Sequence, residues 1–193
     1  MAGPFTLVGN YDQTNQGNRF TGILATAAAI PVSNTTSPTA CLWNRFGSQK
    51  KLVLERISVG WVTTTEAPGN ILLNVLFATG SAPGTALPLT AFTAGVINTT
   101  IFNTLLGGSG SQPQGSFGTA ATLTTAGVPY RTLGMSHLTT TGASTAVPGW
   151  MLDFKFDDSD ILMPGTMVYP TASAATASTY NISIQWREVP VGD

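Results

Sequence analysis

Ionic side chains are scarce in this sequence. Only 9% of its 193 residues are Asp, Glu, Lys or Arg, against roughly 25% in an ordinary soluble domain. Lysine and glutamate together supply just Lys50, Lys51, Lys155, Glu55, Glu66 and Glu188. A surface helix draws its polar face largely from Glu, Lys, Gln and Arg, so helical bundles and coiled coils are excluded. A net charge of −1 and a pI near 5.7 leave no basic patch to displace counterions, and no nucleic-acid partner is expected. The single cysteine, Cys41, excludes an intrachain disulfide framework. Beside Leu42 and Trp43 it reads as a small buried apolar residue. Long apolar runs are missing too. Residues 23–32 and 71–79 hold interrupted stretches of about ten residues, half of what a membrane-spanning helix needs, so no membrane partner is expected. The start Met1-Ala-Gly-Pro-Phe-Thr lacks a basic region and an apolar core, and predicts no secretory signal.

Catalytic residue types are equally thin. The one histidine, His137, has no acidic residue within about 15 positions to orient it as a general base. Ser136 beside it lacks the Gly-x-Ser-x-Gly frame of a nucleophile elbow. Gly107-Gly108-Ser-Gly has no following Gly-Lys-Ser/Thr, so it is not a phosphate loop. Asp153, Asp157, Asp158 and Asp160 form the one acidic cluster. Hard cations favour such oxygen ligands, but the spacing lacks the glycine and distal glutamate of an EF-hand. It reads as a polar turn whose aspartates cap backbone amides. No metal or cofactor is expected, and no enzyme. Sequons at Asn34, Asn98 and Asn181 are chance products of a chain rich in threonine.

What the sequence does have is about 30 threonines, 21 glycines, 12 prolines and 42% hydrophobic residues, enough apolar content to exclude disorder. Its apolar pattern has period two. Tyr180, Ile182, Ile184, Trp186 and Glu188 alternate with Asn181, Ser183, Gln185 and Arg187, the mark of a strand with one buried face. Residues 52–62 read alike, with Val53, Ile57, Val59 and Trp61 on one side and Leu52, Leu54, Arg56 and Ser58 on the other. Strands are also expected at 71–79, 150–156 and 166–169, the last fed by a Met163-Pro-Gly-Thr turn. Weaker candidates lie at 23–30, 39–43, 96–102, 120–125 and 136–140. Trp43, Trp61, Trp150 and Trp186 each fall on an expected strand, which points to core or subunit interface. Eight to ten short strands parted by Gly, Pro, Asn and Ser turns predict an all-β fold, an antiparallel β-sandwich or jelly roll over residues 23–193. Residues 1–22 read as an extended N-terminal arm, ordered only against something else, with Phe5, Tyr11, Arg19 and Phe20 as anchors. Residues 107–118 read as a low-complexity exposed loop.

Three segments carry a resemblance. They are Cys41-Leu-Trp-Asn-Arg-Phe-Gly-Ser-Gln-Lys-Lys-Leu-Val-Leu-Glu-Arg-Ile-Ser-Val-Gly, then Asp160-Ile-Leu-Met-Pro-Gly-Thr-Met-Val-Tyr, then Tyr180-Asn-Ile-Ser-Ile-Gln-Trp-Arg-Glu-Val-Pro. Their order and spacing resemble jelly-roll virion proteins of tailed bacteriophages, the capsid cement or decoration proteins and head fibres. The resemblance runs from residue 41 onward and brings no catalytic residues. It implies a homotrimer on three-fold or quasi-three-fold capsid axes, made in the host cytoplasm and bound to the major capsid protein on the outer surface of the virion. The arm residues Phe5, Tyr11, Arg19 and Phe20 are then the expected capsid-binding anchors. The runner-up is a fibre or receptor-binding protein touching a host glycan through the loops at 107–118 and 139–149. Those loops hold Phe117 as their one aromatic, which favours cement.

Overall fold

The apolar alternation in the sequence becomes strand through most of the chain. The computed structural model describes residues 17–63, 69–78, 87–96, 99–104, 112–135, 151–175 and 178–192. They form β1 (Arg19–Ala29), β2 (Cys41–Asn44), β3 (Lys50–Thr63), β4 (Asn70–Phe77), β5 (Leu89–Ala94), β6 (Ile101–Asn103), β7 (Gly115–Leu123), β8 (Val128–Met135), β9 (Met151–Lys155), β10 (Ile161–Leu162), β11 (Thr166–Ala172) and β12 (Thr179–Pro190). No helix occurs among the described residues.

Two antiparallel sheets pack face to face as a β-sandwich. The first has the order β10-β3-β12-β1-β6, with β9 also on β3; the second has the order β5-β7-β2-β11-β4-β8. The two halves of the chain pair in mirror order. β1 pairs β12, β2 pairs β11, β3 pairs β9 and β10, and β4 pairs β8. The excursion β5–β7 between β4 and β8 adds β6 beside β1 and β7 beside β2.

The core lies between the sheets. Phe20, Leu54, Ile57, Ile182, Ile184 and Trp186 face Leu42, Leu73, Phe117 and Val168 in one cluster. A second cluster of Cys41, Leu76, Met167 and Tyr169, with Trp43 and Phe92 against it, uses alternate positions of β2 and β11 and so lies on the other face of the second sheet. With both its faces covered, β11 is buried at all seven positions. The Cys41 thiol is fully enclosed, and burial pushes it up to about 12. A thiol reagent at pH 8 is therefore expected to leave Cys41 untouched in the native protein and to label it fully in denaturant. Rapid native labelling would contradict the enclosure.

Two buried polar residues lock the ends of strands. Asn44 donates through Nδ2 to the carbonyls of Lys50 (2.7 Å) and Leu162 (2.8 Å), tying the sheets together. Glu188 accepts from the backbone N–H groups of Gln114 and Gly115 and from Trp186 Nε1. This carboxylate caps the start of β7. Glu188→Gln points an amide N–H₂ at donors that need an acceptor. A loss of about 1–3 kcal/mol is expected, read by urea titration, and an unchanged midpoint would remove Glu188 from this role.

β3 departs from the expected two-sided pattern. Its register against β12 slips between Gln185 and Trp186, so Leu54 faces Trp186 and Arg56 faces Gln185 with Glu55 as the extra residue. This β-bulge reverses the alternation. Leu52 and Leu54 therefore share the core with Ile57 and Val59 instead of opposing them.

Candidate functional site

Phe5 and Tyr11 lie outside the described residues, as do His137, Trp150 and the segment 139–149. Arg19 and Phe20 are not on a free arm. β1 begins at Arg19 and pairs with β12 from there. Phe20 is 1% exposed and stacks on Trp186 with ring centroids 5.8 Å apart. Arg19 forms an ion pair with Glu55. The reason is periodicity: Phe20, Gly22 and Leu24 continue the inward row opposite Trp186, Ile184 and Ile182. Of the expected exposed loop at 107–118, residues 107–111 lie outside the described residues, and its last four residues are corrected. Gly115–Gly118 belongs to β7, and Phe117 is fully buried.

The four clustered aspartates separate onto four different tasks. β9 and β10 run along the same side of β3 as one strand interrupted by residues 156–160. Phe156 N–H donates to Glu55 O and Leu54 N–H to Asp160 O, closing the ladder at both ends of the interruption. Asp153 takes a two-pronged bond from Arg56 and a third from Ser58 Oγ. The Arg56 guanidinium, helped by Ser58, holds its carboxyl below the usual range. Asp157 accepts from Ser159 Oγ and N–H, and the hydroxyl bond first of all lowers its titration. Asp158, in the left-handed region at φ 66°, pairs with Arg187. Asp160 is buried, accepting from Tyr130 OH at 2.7 Å and pairing with Arg131 at 2.8 Å. Among the described residues no three His, Cys, Asp or Glu side chains are grouped to hold a metal.

Two surface features remain. The first is a charged cavity of about 380 Å³ on the outer face of the first sheet. Its lining includes Arg19 from β1, Glu55 and Arg56 from β3, Gln185 from β12, Lys155 from β9 and Phe156, Asp157 and Asp158 from the interruption. With Arg187 at its edge, half of the chain's eight basic side chains gather here. Strands distant in sequence bring them together: Arg19 and Arg187 are direct cross-strand partners, as are Arg56 and Lys155. Such like-charged neighbours repel unless carboxylates intervene, and Glu55, Asp153 and Asp158 intervene.

The second is an apolar groove of about 460 Å³ between the β10 edge of one sheet and β4 and β11 of the other. Leu54, Leu73, Val75, Leu162 and Val168 are buried beneath it. Phe77 (58% exposed), Tyr130, Met163 and Ile161 ring it. These are four of the ten large apolar side chains that stand exposed among the described residues, and exposed Phe46 packs at Gly165 next to them. Apolar exposure is thus gathered rather than scattered, as at surfaces that bind another protein. The chain matches no family model, no curated protein and no solved structure.

Proposed function

We propose that this chain is a structural virion subunit: a homotrimeric cement or decoration protein that binds the outside of a phage capsid and stabilises it. The observation that carries the reading is the apolar groove ringed by Phe77, Tyr130, Ile161 and Met163. A monomer with so few ionic side chains has little to keep such a patch from self-association. A second copy of the chain is its occupant. The mirror-order pairing of β1–β4 with β8–β12 supports a jelly roll, since that fold is a long antiparallel hairpin wrapped into two sheets. Among the described residues, Arg19, Arg56, Arg131 and Arg187 each have a carboxylate partner within the chain, which suits a surface packed among neighbours, where an unmatched charge is costly.

The stabilising mechanism is mass action. A protein that binds only the assembled shell draws the equilibrium away from disassembly, and three linked contacts bind far more tightly than one. The first test is the mass of the full chain in solution. Sedimentation at micromolar concentration is expected to give three times the 20.0 kDa chain, and the trimer is expected to pellet with empty capsid shells. A monomer, or a trimer that stays in the supernatant, overturns the proposal. The fibre or receptor-binding reading is favoured by the charged cavity, which has the polarity of a ligand site. Copies counted per particle separate the two readings: a set on every capsomer belongs to cement, and a few at one vertex belong to a fibre.

A further inference from the structure

We propose that a cavity beside the β2–β3 turn binds a carboxylate through Arg45. This does not rest on how the chain assembles.

The cavity holds about 340 Å³ and lies where the β2–β3 turn meets the start of β7 and the end of β5. Strand pairing brings these segments together. Asn44 at the end of β2 pairs with Gly115, and Ala94 at the end of β5 pairs with Gly118. Gly47 and Gly95 form part of the wall, and without side chains they leave room beside the arginine.

Arg45 is the informative residue. The sequence has five arginines. Arg19, Arg56, Arg131 and Arg187 each pair with a carboxylate, whereas Arg45 takes part in no ion pair among the described residues. It is exposed, and its guanidinium lies 5.4 Å from the centre of the Trp43 ring. Such a contact attracts the cation to the negative face of the ring and consumes none of its N–H donors. Phe92 of β5 braces Trp43 in turn, edge to face at 5.3 Å. Arg45 is therefore held in place with its donors in reserve. Two further exposed or half-buried side chains in the wall, Gln114 and Ser116, have no side-chain hydrogen bond among the described residues. The hydroxyl of Ser48, by contrast, is spent on Asn44.

Charge selects the ligand. Among the described lining residues Arg45 is the one that carries charge. Glu188, which accepts from the N–H groups of Gln114 and Gly115, is buried behind the wall and does not line it. An anion therefore meets one cation and the Gln114 amide and Ser116 hydroxyl as further donors, with no carboxylate to repel it. One guanidinium matches one negative charge, and its planar fork fits the two oxygens of a carboxylate. A phosphate sets more charge against this one cation than it balances. The volume lies at the lower end of small-ligand pockets, roughly 300–1,000 Å³, and so admits a body of a few carbons behind the carboxylate. A free organic acid and an acidic side chain on another polypeptide both carry this group.

The test uses the full chain at low ionic strength, titrated with acetate, lactate, glucuronate and the blocked peptide acetyl-Gly-Glu-Gly-amide by ligand-observed NMR and calorimetry. Inorganic phosphate and glucose serve as multiply charged and neutral probes. Saturable binding of at least one carboxylate is expected. Arg45→Gln should weaken it about tenfold or more, the loss of a charge-assisted bond. Arg45→Lys keeps the charge without the fork and should weaken it less. Gln114→Ala should weaken it about threefold, because its N–H to Glu188 stays in place. Lys155→Ala removes an exposed cation from the first sheet and should leave binding unchanged. Circular dichroism checks that each variant keeps its sheet. Tighter binding of the peptide than of the free acids assigns the carboxylate to a polypeptide side chain, and the reverse order assigns it to a free acid. Absence of saturable binding by every carboxylate, binding that survives Arg45→Gln, or tighter binding of phosphate or glucose overturns the proposal.

Discussion

Trp186→Ala is expected to lower the unfolding free energy by about 3–5 kcal/mol and the melting temperature by about 6–20 °C. Trp186 is fully buried on β12, the central strand of the first sheet, between β3 and β1. Its ring stacks on Phe20. It also packs close to Gly115, where an added Cβ would stand 3.1 Å from Nε1. Removing the indole opens a cavity that β-sheet backbone on both sides cannot collapse to fill. It also takes one donor away from Glu188. Val191→Ala, at a 46% exposed position near the chain end, should stay within about 0.5 kcal/mol of the parent. Urea unfolding followed by circular dichroism measures both. A Trp186→Ala loss below about 1 kcal/mol would show that the sandwich is not centred on this residue.

β12 shows what a sequence reveals when alternation is unbroken. Tyr180, Ile182, Ile184, Trp186 and Glu188 are buried as their spacing requires, Glu188 included. β3 shows how one residue spoils the reading. The extra Glu55 flips the parity of everything beyond it, and nothing in composition marks a bulge. β5 was missed because its side chains are mostly small and exposed, so it has no buried row to detect. β8 carries Pro129 and Gly134, which read as turn signals, and its two register shifts against β4 blur the period further. Phe20 looked like an arm residue because its sequence neighbours are polar. Its partner, Trp186, is supplied from the far end of the chain. The same holds for the charged cavity. Scarcity of charge was legible, but its gathering was not, because Arg19, Arg56, Lys155 and Arg187 meet only through strand pairing. The aspartate turn was legible from composition, though not that it interrupts a strand and leaves Asp160 buried on Tyr130 and Arg131.

Phe77→Glu is expected to turn the proposed trimer into a monomer while leaving the fold intact. Phe77 ends β4 opposite Thr166 and is 58% exposed in the single chain. For the isolated subunit, a carboxylate there stays in water and changes stability by no more than about 0.5 kcal/mol. In a trimer closed through the groove, the same carboxylate is buried at every interface against apolar surface, without a cation to meet it. The lining of the groove holds no lysine or arginine. A desolvation penalty of about 3 kcal/mol per interface corresponds to more than a hundredfold weaker association at each contact. Sedimentation velocity over a concentration series reads this directly, with circular dichroism confirming the unchanged sheet. Val96→Glu places the same charge at a 63% exposed residue that does not line the groove, so its trimer should survive. If Phe77→Glu remains trimeric, association does not run through the groove, and the exposed ring of Phe77, Tyr130, Ile161 and Met163 is left as a candidate face for the proposed capsid contact. That alternative is itself checked by the same variant, which would then trimerise normally and fail to pellet with shells.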